Sequence, residues 1–247
     1  MNLNQSYRDI SGNLKPQRLH VFLAHSGIAS RRACEELISQ GRISVNGKII
    51  TIPGQKVAPE DIIHFDGKQV SGEKARHYYV LHKPPLYISS SYDPQKRDLA
   101  LSLLPDLKER LYNIGRLDYR SSGLLLFTND GDFAYRVSHP KANIEKEYYV
   151  ESTIPIPDRL IYEFSNGLLI DGILYKAQNI ERLGNRELKI ILVEGKNREI
   201  RRVFSHYRLH PSILRRIRIG HLLMGSLKEG ESRPLTNEEL NKFNIEI

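Results

Sequence analysis

Residues 18–50 of this 247-residue chain combine two short helical patterns with a hairpin signal. Apolar residues recur at helical spacing across Arg18–His25, where a Ser-Gly pair then ends the pattern. A second helix is predicted between Ser30, a favoured N-cap residue, and Gly41, a favoured residue just beyond a helix. The alternating stretch RISVNGKII surrounds Asn46-Gly47, a strong signal for a two-residue hairpin turn. Together these signals predict a small helix–helix–hairpin unit.

Composition shifts along the chain predict four parts. Residues 1–15 are polar and patternless, and we interpret them as a flexible leader. The helix–helix–hairpin unit and the strand-like residues after it form a domain at 16–65. A polar linker is predicted at 66–76, and a larger domain at 77–247.

The larger domain alternates strands and helices irregularly, which predicts an α+β fold with a mixed sheet. Its first run, HYYVLHKPP, is aromatic and β-branched and ends at two prolines, as expected for a strand that runs into a turn. Further strands are predicted at 123–128, 147–151 and 188–193, and helices at 157–166 and 198–207.

The chain is basic, with 37 Lys and Arg residues against 29 Asp and Glu and a net charge of +8. This balance favours a polyanionic partner, but a nucleic acid and a membrane surface both remain open on charge alone.

Cys34 is the only cysteine, which excludes an intramolecular disulfide and fits a reducing compartment. The first residues, MNLNQSYRDISG, lack an apolar signal core, and the longest apolar runs are too short to span a bilayer. We therefore expect a cytoplasmic protein without a membrane association.

Asp118 stands in an unusual segment, GRLDYRSSGLLLFTNDG, where a polar loop runs into an apolar strand. Such a loop can present a catalytic acid. The spacing alone equally allows Asp118 to be a turn residue that caps its own backbone.

Several separated segments carry a family resemblance. The stretch RLHVFLAHSGIASRRACEELISQGRISVNGKII resembles the alpha-L RNA-binding domain of a small-subunit ribosomal protein and of RNA-modifying enzymes. GRLDYRSSGLLLFTNDG, EKEYYV and EGKNREIRRVF follow in the order seen in bacterial ribosomal pseudouridine synthases, together with LHKPP, SHP and RPLTNEEL. The resemblance extends over about residues 18–240. It implies a mainly antiparallel synthase domain behind the alpha-L domain.

The resemblance implies that the chain isomerises uridine to pseudouridine in ribosomal RNA without a cofactor. Asp118 takes the position of the nucleophilic carboxylate, which adds to either the sugar or the base. Arg201 aligns with the cation that keeps this carboxylate charged, although it could also be one more phosphate contact. Tyr148 aligns with the aromatic residue that stacks on the uracil, and its neighbour Tyr149 is the rival, because strand alternation admits only one of them.

The same resemblance suggests how RNA binds. Arg116 is the candidate to fill the gap left by a flipped-out uridine, with a simple phosphate contact as the alternative. Further RNA contacts are expected from Lys83, Lys146, Lys196 and Arg198 in the larger domain and from Arg31, Arg32, Arg42 and Lys48 in the alpha-L domain. The motifs resemble those of family members that act on 23S ribosomal RNA more than those of the 16S type. We expect a monomeric enzyme that acts on naked ribosomal RNA or on a preribosomal particle.

Five positions differ from the family pattern, whereas Asp118, Tyr148 and Arg201 match it, so the resemblance predicts the reaction more specifically than the substrate. Ser121 replaces the usual Thr, Glu199 replaces Gln, Lys196 replaces Arg, and His82 and Leu86 replace Asn and Gly.

Three other readings compete. His206 and His210, or Asp130 and Asp132, could suggest a metal, but neither pair continues into a known metal motif. A glycosidase-like hydrolase would need a second carboxylate, for which only Glu194 or Glu147 is available. A non-catalytic RNA-binding assembly factor would keep the basic surface without the chemistry.

Overall fold

The computed structural model describes residues 16–70, 75–107 and 109–243. The chain divides into two compact units, one with residues 1–76, 107–110 and 129–132 and one with residues 77–106, 111–128 and 133–247. The predicted leader at 1–15 and residues 71–74 of the predicted linker lie outside the described residues.

The first unit contains the two predicted helices and several short strands. The helices are α1 (Leu19–His25) and α2 (Arg31–Ser39). The strands are β1 (Gln17–Arg18), β2 (Ile43–Val45), β3 (Lys48–Ile50), β4 (Lys56–Val57), β5 (Ile63–Phe65) and β6 (Lys68–Gln69). One sheet has the order β3-β2-β5-β6, and β1 pairs with β4.

Local chemistry explains why these elements form where they do. The Ser30 hydroxyl accepts a hydrogen bond from the Ala33 N–H at 3.2 Å and so caps α2. Asn46 and Gly47 both have positive φ, 50° and 78°, as a tight primed turn between β2 and β3 requires. The predicted helix–helix–hairpin unit is therefore confirmed.

The predicted linker begins too early. Lys68 and Gln69 form β6, which pairs with β5, and Val70 packs against the apolar core of the first unit. Polar composition suggested a linker here because an edge strand with exposed side chains carries few apolar residues.

The rest of the chain builds one large sheet with helices around it. The strands are β7 (Tyr78–Lys83), β8 (Tyr112–Ile114), β9 (Ser122–Thr128), β10 (Lys146–Ser152), β11 (Leu168–Ile170), β12 (Ile173–Tyr175), β13 (Asn179–Gly184), β14 (Glu187–Leu192), β15 (Pro211–Ile219), β16 (Leu222–Leu223) and β17 (Ser232–Pro234). The helices are α3 (Gly131–Ser138), α4 (Asp158–Asn166), α5 (Glu199–His206) and α6 (Asn237–Lys242), with short 3-10 helices at Ala100–Leu103 and Pro140–Ala142.

The large sheet has the order β13-β14-β10-β15-β9-β7-β17, with β16 on β15 and β8 on β9. The strand pairs are antiparallel except for β15 and β9, which run parallel and pair only at Arg215↔Ser122 and Arg216↔Gly123. The sheet is therefore mixed and mainly antiparallel, as expected.

Gly123 makes the parallel junction possible. Its φ is +112°, and a Cβ at this position would lie 2.3 Å from the Arg216 carbonyl oxygen. The backbones of β9 and β15 thus approach more closely than a side chain at Gly123 would permit.

Apolar clusters surround this junction, and one of them contains residues of both strands, Leu124 of β9 and Ile219 of β15. One packs β10, β14 and β15 against α4 and α5, through residues that include Val150, Phe164, Ile190 and Phe204. Others surround β7 and β9, through residues that include Val80, Leu125, Phe127 and Phe133. Within the described ranges, no helix is both long and apolar enough to cross a membrane.

Candidate active site

The second unit contains a pocket of about 300 Å³. Its walls come from the loop between β8 and β9, from β10 and β15, and from the loop that leads into α5. Asp118, Tyr148 and Arg201, which are far apart in the sequence, all line it.

Asp118 lies in the loop that leads into β9. The Ser121 N–H closes a turn by donating to the main-chain carbonyl of Asp118 at 3.0 Å, so the turn does not use the carboxylate. The loop is anchored by Leu117, whose N–H and carbonyl both bond to the buried Ser89 hydroxyl at 3.2 and 3.1 Å. The Asp118 side chain itself is 25% exposed at the pocket wall.

Arg201 faces this carboxylate from the first turns of α5. Its Nε lies 3.4 Å from Asp118 Oδ2, and its Nη2 donates to the Arg120 carbonyl and to Ser121 Oγ, both at 3.1 Å. The guanidinium therefore meets the carboxylate through one nitrogen and holds the loop with another. Burial lowers the pKa of Arg201, and the charge of Asp118 opposes that shift.

Strand register decides between the two tyrosines. Tyr148 lines the pocket, whereas Tyr149, its neighbour on β10, does not. Burial and a hydrogen bond with Glu187 raise the pKa of Tyr149. The alternation of side chains along β10 thus directs Tyr148 toward Asp118 and Tyr149 toward the opposite face.

Several cations line the pocket. Arg116 and Arg198 are exposed and line it, and Arg198 precedes α5 with a positive φ of 53°. Lys146 donates to the Val193 carbonyl at 2.9 Å, and burial lowers its pKa. Lys196 pairs with the Glu194 carboxylate, which raises the pKa of Lys196.

Lys83, which was predicted to contact RNA, does not lie at the surface. Its side chain is 0% exposed, and its Nζ donates to the carbonyls of Pro84 at 2.6 Å and Tyr87 at 3.0 Å. Burial lowers the pKa of Lys83 to about 8, although the charge of Asp118 opposes the shift. The ammonium holds the turn after β7, because the main-chain carbonyls of that turn satisfy a buried donor.

Glu199 and Arg216 are buried residues of the pocket wall, and neither was predicted from the sequence to lie there. Glu199 is 4% exposed and accepts a hydrogen bond from the Lys196 N–H at 3.0 Å, and burial raises its pKa. Arg216 is 5% exposed.

The basic residues predicted for the first unit are exposed. Arg31 and Arg32 begin α2, and Lys48 begins β3. Arg42 is engaged by a two-pronged ion pair with Asp66 and lies over the Phe65 ring, with its guanidinium carbon 4.8 Å from the ring centroid.

The histidine and aspartate pairs do not build a metal centre. Among the residues that the structure describes, no group of three or more His, Cys, Asp or Glu side chains is placed to hold a metal ion.

Comparisons with known proteins follow the same division of the chain. The family described as "RNA pseudouridylate synthase" matches residues 77–206, and the S4 domain family matches residues 17–63. An "Uncharacterized RNA pseudouridine synthase" of Borreliella burgdorferi is 41% identical, over 93% of this chain and 94% of that protein. The "Ribosomal large subunit pseudouridine synthase B" of Bacillus subtilis is 36% identical, over 92% of this chain and 95% of that protein.

A solved structure, "Crystal structure of pseudouridylate synthase", superimposes with a TM-score of 0.67 and 28% sequence identity. The match covers 92% of this chain and 99% of the chain in that structure. The fold, the segment order and the sequence relatives agree. The chain therefore belongs to the RNA pseudouridylate synthase family and carries an S4 domain ahead of its synthase domain.

Proposed function

We propose that this enzyme isomerises one uridine of large-subunit ribosomal RNA to pseudouridine, with Asp118 as the nucleophile. The observation that carries the proposal is the convergence of Asp118, Arg201 and Tyr148 on one pocket. A carboxylate, a cation that keeps it charged and an aromatic ring are the groups that this reaction needs. A protein that only bound RNA would need the cations but not this arrangement.

The reaction exchanges one bond for another within the same nucleotide. The bond between uracil N1 and sugar C1′ breaks, a bond between uracil C5 and C1′ forms, C5 releases a proton and N1 gains one. No electrons are transferred to or from another molecule. Asp118 adds to the sugar or to the base and holds the nucleotide while the uracil turns.

The other two residues assist in different ways. Arg201 offsets the cost of keeping a carboxylate charged beside a bound base, because its Nε lies 3.4 Å from Asp118 Oδ2. Tyr148 stacks on the uracil and assists removal of the proton from C5.

RNA binding uses both units. Uridine in folded RNA must leave its stack to be reached, and the exposed Arg116 at the pocket wall is suited to fill the vacated space. Lys146, Lys196 and Arg198 guide the strand into the pocket. Arg31, Arg32, Arg42 and Lys48 of the S4 domain help dock the rest of the RNA.

The choice of 23S over 16S RNA rests on the likeness to the Bacillus subtilis large-subunit enzyme. We also propose that the enzyme acts as a monomer, since a single chain brings Asp118, Tyr148 and Arg201 to one pocket.

The test maps pseudouridines in ribosomal RNA from cells that lack the gene, complemented with wild type or with Asp118→Asn. We expect one large-subunit site to vanish on deletion and to return only with wild type. Asp118→Asn keeps the size of the side chain and removes its charge. The abundance of the variant protein and its affinity for ribosomal RNA, compared with those of wild type, serve as controls.

Each alternative predicts another result. If Asp118→Asn restored the site, the nucleophile assignment would be wrong. An unchanged pseudouridine map, with a ribosome-assembly defect rescued equally by both versions, would favour the non-catalytic assembly factor.

A further inference from the structure

Arg216 is a buried cation on the pocket wall whose hydrogen bonding is incomplete. It is 5% exposed and lies on β15, the strand at the centre of the large sheet. Its Nε donates to the Leu124 carbonyl at 2.7 Å. Its Nη2 is buried and has no hydrogen-bond partner among the described residues.

An unsatisfied guanidinium nitrogen at this depth is costly. A guanidinium has five N–H donors and stays charged, so burial is tolerated only where acceptors surround it. Two neighbouring cations make the position more costly still: burial lowers the pKa of Lys83 and of Lys146, and the positive charge of Arg216 lowers both further. A group that accepts hydrogen bonds from Arg216 would relieve the repulsion among these cations.

A structural role explains only one side of the guanidinium. The bond from Arg216 Nε to Leu124 fastens β15 to β9 at the parallel junction, where Gly123 admits the close approach of the two strands. That bond leaves Nη2 unexplained. Because Arg216 lines the same pocket as Asp118, the missing acceptor is accounted for by a ligand in that pocket.

Strand register indicates which part of the ligand this is. Tyr148 on β10 is the direct cross-strand partner of Arg216 on β15, and cross-strand partners project their side chains on the same face of a sheet. A base stacked on Tyr148 therefore presents its edge near Arg216. Uracil carries two carbonyl oxygens on its ring, and the nucleotide carries anionic oxygens on its 5′ phosphate.

We infer that Arg216 binds the target nucleotide inside the pocket by donating a hydrogen bond from Nη2 to a uracil carbonyl oxygen or to a 5′-phosphate oxygen. The inference rests on the proposed function, since it needs a nucleotide in this pocket. It adds a fourth residue to Asp118, Arg201 and Tyr148, with a role in holding the substrate.

The test compares Arg216→Gln with Arg215→Gln in single-turnover reactions of the full-length enzyme. Arg215 is the adjacent arginine of β15, pairs with Tyr149 and does not line the pocket. Its Nε is also buried without a hydrogen-bond partner among the described residues, so this control separates an unsatisfied guanidinium from one that lies in the pocket. The RNA is a synthetic segment of large-subunit RNA that contains the uridine identified by mapping. We expect Arg216→Gln to be about 10- to 100-fold slower than wild type, as for loss of a hydrogen bond from a charged group, and Arg215→Gln to react at the wild-type rate.

Modified RNAs separate a substrate contact from a structural effect. One RNA carries a thiocarbonyl in place of a uracil carbonyl, and another carries an uncharged methylphosphonate 5′ to the target. If Arg216 contacts the altered group, that change slows wild type but does not slow Arg216→Gln further, because the two losses are not additive. Coupling to the thiocarbonyl identifies the base, and coupling to the methylphosphonate identifies the phosphate.

Additive effects with both RNAs, or equal rates for Arg216→Gln and Arg215→Gln, would overturn the inference while leaving the proposed function intact. Failure of the proposed function is distinguishable, because wild type itself would then leave the unmodified RNA unchanged. Unfolding curves of both variants show whether a slow rate reflects misfolding, and the additivity test remains decisive for a partly destabilised Arg216→Gln.

Discussion

Arg201 Nη2 donates a hydrogen bond to Ser121 Oγ at 3.1 Å, so the guanidinium that faces Asp118 is also tied to the loop that carries Asp118. This arrangement fixes both members of the ion pair through a serine that is only 1% exposed. The orientation of the pair therefore depends on a residue that contacts the cation and not the carboxylate.

Ser121→Ala should slow the single-turnover rate by about 3- to 10-fold, the usual effect of one neutral hydrogen bond. The RNA dissociation constant should stay near the wild-type value, because the Ser121 hydroxyl bonds to Arg201 and not to the cations proposed to contact RNA, which are Arg116, Lys146, Lys196 and Arg198. Ser122→Ala, which changes the next buried serine, is the control. Equal rates for the two variants would show that the Ser121 hydroxyl does not position Arg201.

Lys83 should give the enzyme an alkaline limit. Its pKa is about 8 in the folded protein, so its charge beside Asp118 is lost as pH rises through that value. We expect the single-turnover rate to fall above about pH 8 and the limit to move upward in Lys83→Arg. An unchanged alkaline limit in Lys83→Arg, measured from pH 6 to pH 10, would mean that another group titrates.

The lowered pKa of Lys83 also makes the free energy of unfolding depend on pH. Between about pH 8 and 10.5 the folded protein has released the Lys83 proton while the unfolded chain still binds it. The free energy of unfolding should therefore gain from this group as pH rises through that window. Urea unfolding of wild type at pH 8 and pH 10, compared with Lys83→Arg, measures this contribution.

Glu199→Gln should be more stable than wild type at pH 7. Burial raises the pKa of Glu199, so above pH 4.5, its ordinary value, the unfolded chain ionises first and folding becomes less favourable. Glutamine keeps a carbonyl that can accept the hydrogen bond from the Lys196 N–H. Unfolding at pH 4 should show a smaller difference than at pH 7, and the exposed Glu194→Gln is the comparison at both.

Gly123→Ala should destabilise the protein by about 3 kcal/mol. The added Cβ would lie 2.3 Å from the Arg216 carbonyl oxygen, in a backbone conformation that side chains rarely adopt. Gly225→Ala shares a positive φ, 56°, but meets no atom within 4 Å, so it isolates the cost of conformation from the cost of the clash. Similar unfolding midpoints for the two variants would contradict the close approach of β9 and β15.

Local signals predicted the S4 domain well, because caps, turn residues and helical spacing lie within a few residues of one another. The strand β15 was missed for a tertiary reason. Its arginines break the apolar alternation of PSILRRIRI, although Leu214 and Arg216 are buried at positions two apart. A buried arginine becomes comprehensible only once the Leu124 carbonyl and the pocket are brought beside it.

The candidate site likewise contains residues that were predicted from the sequence and residues that were not. The resemblance supplied Asp118, Tyr148 and Arg201, and the register of β10 in the sheet separated Tyr148 from Tyr149. The environment of Lys83 could not be predicted, because its acceptors are main-chain carbonyls that only the folded turn brings together.

The parallel junction of β9 and β15 has a consequence for how the enzyme fails. Only two residue pairs join the strands there, and the apolar cluster around α4 and α5 lies on the β15 side alone, although Leu124 of β9 and Ile219 of β15 share another cluster. Asp118 precedes β9, whereas Arg201 lies on α5, whose apolar residues pack with the β15 side; Tyr148 packs against clusters on both sides. A fluctuation that opens this junction would separate Asp118 from Arg201 without unfolding any helix. On gentle heating we therefore expect inactivation to precede the loss of secondary structure, so that catalysis reports the opening of this junction.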